Sequence, residues 1–123
     1  MSRSGRDGVG RLLGQANPSS TTAASIYAPG AGRVAEISLI IVTEVSGNAD
    51  TFDLHFNATG STYAVGNALA FNKAIIANGV DLDFHFRPGA GLWLKNPGSI
   101  GFAPATASRL TVSIFGMEHE AIR

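Results

Sequence analysis

Arg33-Val34-Ala35-Glu36-Ile37-Ser38-Leu39-Ile40-Ile41-Val42-Thr43-Glu44-Val45 is the stretch on which the fold class turns. Ala35, Ile37, Leu39, Ile41 and Thr43 share one side of an extended chain. Glu36, Ser38 and Glu44 share the other, together with Ile40 and Val42. Period-two alternation is the mark of a β-strand, because successive side chains project to opposite faces. Apolar residues on both faces of the second half predict a strand covered twice, by a partner sheet and by something further. Ile40 and Val42 are therefore candidate interface residues.

The same rhythm extends in both directions. Over 51–57, Phe52, Leu54 and Phe56 are expected inward, and Asp53, His55 and Asn57 outward. Over 80–87, Val80, Leu82, Phe84 and Phe86 are expected inward, and Asp81, Asp83, His85 and Arg87 outward. Residues 67–76 (NALAFNKAII) could be read as a helix. Leu69, Phe71 and Ile75 also fit a strand on odd positions, and a length marginal for a helix with Asn and Gly at the ends favours the strand. Shorter strands are expected over 12–16, 25–28, 92–95 and 100–103, bounded by Asn17-Pro18, Pro29-Gly30, Asn96-Pro97-Gly98 and Pro104. Leu110, Val112 and Ile114 alternate in a closing strand that ends near Glu118. Eight or nine short strands separated by turns predict an all-β fold, a two-sheet antiparallel β-sandwich of jelly-roll-like kind. The expected organisation is a flexible arm over 1–10, one sandwich domain over 11–118 and a short tail over 119–123.

Composition narrows the function. A chain of 123 residues is one domain by length and can build one core without staples. It has no cysteine, which excludes disulfide and thiolate chemistry. Nine basic and nine acidic residues cancel to zero net charge, so no global footprint for nucleic acid or a membrane surface exists. Charged residues make up 15% of the chain against about 25% in typical domains. So few charges predict a surface partly covered by neighbours, as in an assembly subunit. The longest apolar run, Leu39-Ile40-Ile41-Val42, is far short of the ~20 residues of a membrane span. Arg3, Arg6 and Arg11 precede no apolar stretch of the signal-peptide kind, so export by the general secretory route is not expected. These three arginines sit in or beside a glycine-rich segment that either frays or orders on a neighbour. They join the interface candidates.

Catalytic, cofactor and metal motifs are not found. Phe52-Asp53-Leu54-His55-Phe56 echoes Leu82-Asp83-Phe84-His85-Phe86. Side by side, two imidazoles and two carboxylates could hold a divalent ion. Strand alternation alone demands polar residues at those positions, so a solvated or interface face is the expected reading. Gly30-Ala31-Gly32 and Gly89-Ala90-Gly91 each follow a proline and lead into no phosphate-binding helix, so tight turns explain them. His119 beside Glu118 and Glu120 is expected in a polar tail. Trp93 faces away from Leu92 and Leu94 and is the last interface candidate, an anchor for a partner or a sugar ring.

Arg11-Leu12-Leu13-Gly14-Gln15-Ala16, then residues 21–27, Ala28-Pro29-Gly30-Ala31-Gly32 and the long apolar strand, resemble small structural proteins of tailed bacteriophages. The ending Leu110-Thr111-Val112-Ser113-Ile114-Phe115-Gly116-Met117-Glu118 resembles their final strand. The chain departs from that pattern at Thr43-Glu44-Val45-Ser46-Gly47-Asn48, where the polar loop begins with Asn in the pattern. The resemblance implies a β-sandwich of the virion without catalytic residues or cofactor, made in the host cytoplasm. It implies a capsid decoration (cement) protein, or a part of the neck, tail or fibre base. The expected partners are copies of itself, often as a trimer, and the major capsid protein or another virion protein. A carbohydrate- or receptor-binding module would need exposed aromatics, for which Trp93, Tyr27 and Tyr63 qualify. A cupin-like enzyme would need inward histidines, whereas His55 and His85 alternate with the apolar residues.

Overall fold

Nine strands are found among the described residues, which are 11–87 and 91–120 of a computed structural model, apart from the side chains of Leu82 and Asp83. They are β1 (Arg11–Ala16), β2 (Ala24–Tyr27), β3 (Arg33–Glu44), β4 (Asp50–Asn57), β5 (Ala68–Ile75), β6 (Val80–His85), β7 (Leu92–Lys95), β8 (Ser99–Pro104) and β9 (Leu110–Glu120). Their antiparallel pairs nest: β4 with β5, β3 with β6 and β7, β2 with β8, β1 with β9. This nesting is a hairpin rolled on itself, the jelly-roll arrangement of two packed sheets. The front sheet runs β1-β9-β3-β6, with β7 also on β3; the back sheet runs β2-β8-β4-β5. β7 pairs with Val34–Ile37 and β6 with residues 39–43, so the two lie end to end along one edge of β3. Within 67–76, Ala68–Ile75 form strand and not helix; one 3-10 turn, Val65–Asn67, precedes β5. No helix among the described residues is long and apolar enough to cross a membrane.

The core lies between the sheets. Ala35, Ile37, Ile40 and Val42 from β3 and Leu110, Val112 and Ile114 from β9 face Phe52, Leu54, Ile100 and Phe102 from the back sheet. Each such side chain contributes about 1.5–3 kcal/mol on leaving water. Ile40 and Val42 are fully buried here, which corrects their reading as interface residues. The reason is a shift of register between Ile37 and Leu39 against β9. An extra residue at Ser38 reverses the alternation, as a bulge does. Ala35 and Ile37 point inward before it, Ile40 and Val42 after it. Leu39 and Ile41 take the outer face.

Two more bulges overturn expectations in the same way. In β5, Asn72 adopts positive φ and its N–H bonds Asp53 Oδ1 at 2.8 Å. Leu69 and Phe71 are exposed while Ile75 is buried, so the three odd positions do not share a face. In β6, register shifts between Ile40 and Val42, leaving Val80 exposed and Asp81 buried beside Lys73 at 3.5 Å. The closing strand runs to Glu120, so 119–120 belong to the sheet and not to a tail. Residues 1–10 and 121–123 lie outside the described residues.

Both ends of the β3·β9 ladder carry an engaged carboxylate. At one end Glu44, opposite Leu110, is buried and accepts N–H bonds from Asn78 (2.8 Å), Ser46 (2.9 Å), Gly47 (2.9 Å) and Asn48 (3.2 Å), and a bond from the Ser46 hydroxyl. It thereby joins the turn after β3 to the turn before β6. Burial pushes its pKa up, but the N–H of Asn78 and the Ser46 and Gly47 donors together outweigh it and bring the value down to about 2. A folded value below the unfolded one stabilises the native state fully above the ordinary value of 4.5. That stabilisation is lost as pH falls from there toward 2. Glu44→Gln is therefore expected to melt lower than the parent at pH 7, with the gap narrowing as pH drops through this window. Melting curves from pH 6 to 2 check it; a gap independent of pH would remove Glu44 from the acid response.

Candidate assembly surface

Cross-strand register sets what the front sheet shows to the outside. Leu12, Phe115, Leu39 and His85 lie in one row across β1, β9, β3 and β6. Met117, Glu36 and Trp93 form a second row across β9, β3 and β7. Ser113 and Ile41 pair nearby, with the Gln15 amide donating to the Ser113 hydroxyl at 2.8 Å. Leu12 is 49% and Trp93 52% exposed; Phe115, Leu39, Ile41 and Met117 are half-buried. Glu36 is the charge within these rows, and it is buried, accepting the Gly91 N–H at 3.1 Å. Trp93 stacks on the His119 ring, with centroids 5.9 Å apart and planes 23° from parallel. The two rows thus carry one Asp, Glu, Lys or Arg, the buried Glu36, while Lys95 is exposed beside Trp93 at the end of β7.

The back sheet is treated differently. Residues 57–67 turn back across its outer face. Tyr63 lies over Gly101, where a Cβ would meet its ring at 2.5 Å, and its hydroxyl bonds the Ser99 hydroxyl at 2.5 Å. Ser99 in turn donates to the Gly60 carbonyl at 2.7 Å. His55 Nδ1 meets Asn67 Oδ1 at 2.9 Å, and the Asn67 amide donates to the Thr62 carbonyl at 2.9 Å. Asn57 donates to the same carbonyl at 2.6 Å. His55 is buried by this loop. The 57–67 loop covers the outer face of the back sheet around His55, Ser99 and Gly101, while Leu69 and Phe71 on β5 stay exposed.

The Asp/His echo does not assemble. β4 belongs to the back sheet and β6 to the front, so Asp53 and His55 are not neighbours of Asp83 and His85. No group of three or more His, Asp or Glu suited to a metal occurs among the described residues. Of the interface candidates, Trp93 lies on the front face and Arg11 is exposed at the start of β1. Ile40 and Val42 belong to the core, and Arg3 and Arg6 lie outside the described residues. Sequence reading missed Leu12, Leu39, Ile41, Phe115 and Met117. The signal was present in the two-sided apolar character of β3 and β9, with the faces exchanged by the bulges.

The residues that carry the resemblance meet at one end of the sandwich. Glu118, opposite Ala35, accepts a short bond from the Tyr27 hydroxyl and one from Arg33 Nε at 2.5 Å. It joins the back-sheet strand β2 to β9 and β3 of the front sheet. The bond from Tyr27 lowers the Glu118 pKa against opposition from burial, and Arg33 lowers it further. Burial, then the Glu118 bond, push the Tyr27 phenol well above its ordinary value. Gly14 lets β1 approach β2: a Cβ there would come within 2.8 Å of the Ile26 carbonyl oxygen and 3.1 Å of Tyr27 Cβ. Gly116 has the backbone of Glu36 and Ile37 where its Cβ would be. These are closure devices of the roll. Compared with known proteins, the chain matches no family model, no curated protein and no solved structure.

Proposed function

We propose that this protein is a non-enzymatic structural protein of a virion, most simply a capsid decoration protein that bridges neighbouring major capsid subunits. The observation that carries the proposal is the exposure of Leu12 and Trp93 on the front face beside half-buried Leu39, Ile41, Phe115 and Met117, in a chain with few charges. Contiguous exposed apolar side chains mark sites of protein association. The resemblance to tailed-phage structural proteins supplies the setting. Its residues Gly14, Tyr27, Gly116 and Glu118 support the fold's closure and take no part in a reacting site. The work is mechanical. A sandwich clasped at both ends of its longest ladder transmits load between the subunits it touches and holds them against internal pressure. A structural protein of the neck, tail or fibre base would serve the same purpose at lower copy number. Trp93, half exposed on the front face, favours a second reading in which that face stacks on a host glycan.

Protein ratios measured by mass spectrometry on intact particles, with a cryo-EM map, test the proposal. A copy number in the hundreds is expected for the capsid surface, and six or twelve for neck, tail or fibre base. Particles that lack the chain altogether would overturn the virion assignment.

A further inference from the structure

Asn78-Gly79, in the turn between β5 and β6, is the one Asn-Gly pair in the chain. We propose that it is a modification site, where the turn ages by deamidation to aspartate and isoaspartate. The step needs only water and a solvent base. The Gly79 nitrogen loses its proton to the base and attacks Asn78 Cγ, and the tetrahedral adduct takes up a proton and expels Nδ2 as ammonia. Water then opens the resulting succinimide at one of its two carbonyls. Opening at Cγ leaves aspartate. Opening at the α-carbonyl leaves isoaspartate, whose main chain runs through Cβ and Cγ.

The fold itself demands this labile pair. Asn78 has φ of 58°, in the left-handed region that glycine and asparagine enter most readily. At Gly79 a Cβ would meet Ile76 Cγ1 at 2.6 Å and the Ile76 carbonyl oxygen at 2.9 Å. The missing Cβ that permits the turn also leaves the attacking nitrogen unshielded. The other asparagines are less suited. Asn17 and Asn96 precede proline, whose nitrogen has no proton to lose. Asn48, Asn57, Asn67 and Asn72 precede alanine or lysine, and the first three donate their amides to neighbouring oxygens. Asn78 is exposed. Gly79 N–H is bonded to the Ile76 carbonyl at 2.9 Å, so the attack waits on a local opening of the turn.

The turn is fixed to the end of β3 at two points. Asn78 N–H donates to Glu44 Oε1 at 2.8 Å, and Glu44 N–H donates to the Gly79 carbonyl at 2.9 Å. Isoaspartate inserts one more main-chain carbon between these anchors, so they cannot both keep their register. It also sets a new carboxylate on the residue whose N–H holds the buried Glu44 carboxylate, and like charges repel there. Ageing at this turn therefore loosens the clasp at the Glu44 end of the sandwich. The inference stands apart from the virion reading.

Incubating the full chain for several weeks at mildly alkaline pH, followed by tryptic mass spectrometry, tests it. The tryptic peptide 74–95 contains one side-chain amide, that of Asn78. It is expected to gain about 1 Da before any other asparagine-bearing peptide does. The acidic fraction, separated by anion exchange, is expected to melt at least about 3 °C below the parent. Asn78→Gly keeps the positive φ and the N–H to Glu44, and it is expected to fold and to hold its mass through the same incubation. A peptide 74–95 that keeps its mass, or an earlier gain at another asparagine, would overturn the site. An acidic fraction that melts with the parent would overturn the coupling to Glu44.

Discussion

Phe102→Ala is expected to remove about 3–5 kcal/mol of folding free energy. Phe102 is fully buried on β8 and packs its ring on Phe52, with centroids 5.5 Å apart and planes tilted by 31°. Both rings project from the back sheet into the space that the front sheet closes. β8 lies between β2 and β4, so its backbone is held by ladder bonds on both edges and has little freedom to collapse into the cavity. A domain of this size has about 5–15 kcal/mol in total, so the variant sits near the folding threshold. Thermal unfolding should show a fall of roughly 10–30 °C, at about 3–6 °C for each kcal/mol in a chain of this length. A loss below about 1 kcal/mol would mean that the space between the sheets is not packed as described.

Gly116→Ala is expected to be comparably damaging, for a different reason. Gly116 sits on β9 between Arg11 of β1 and Ile37 of β3, next to the register shift against β3 and one pair before that against β1. An added Cβ would overlap the Glu36 carbonyl and crowd Ile37 Cα. These obstacles are backbone, so no rotamer change can relieve them; the ladder itself must move. Overpacking of this kind costs about 3 kcal/mol or more when relaxation is blocked. Gly116→Val should not yield soluble protein. Gly66→Ala is the matched control, because nothing lies within 4 Å of a Cβ there, and it should change stability by no more than about 0.5 kcal/mol. Urea unfolding of the two alanine variants, with the soluble yield of Gly116→Val, separates the cases. Equal stability of Gly116→Ala and Gly66→Ala would refute the close approach of β3 and β9.

Partnership follows different rules from alternation. Phe52, Leu54, Leu94 and Trp93 take the faces that period two assigns them, because no extra residue interrupts β4 or β7 before those positions. The echo between 52–56 and 82–86 suggested neighbours, yet the nesting of pairs puts its halves in opposite sheets. A strand's pattern records which side faces a core and carries no label for the strand across from it. Glu44 and Glu118 looked like solvent-facing acids or part of a polar tail. Their engagement depends on donors far away in sequence, Asn78 for the first and Tyr27 with Arg33 for the second.

The sequence by itself determined that this is an all-β chain of about nine short strands in two antiparallel sheets. It also determined that β5 is strand and that Trp93 faces away from Leu92 and Leu94, leaving to the structure which of the two faces meets the core. Those features depend on local chemistry: alternation, proline and glycine in turns, and too short a run for a stable helix. Tertiary structure alone decided that Ile40 and Val42 are core while Leu39 and Ile41 are surface, and that Leu69 and Val80 face out. The physical reason is the bulge. One extra residue, at Ser38, at Asn72 or within β6, inverts every later side chain, and whether it is inserted depends on the register of the neighbouring strand. An alternating sequence reads the same on either side of that inversion, so only the partner strand reveals it.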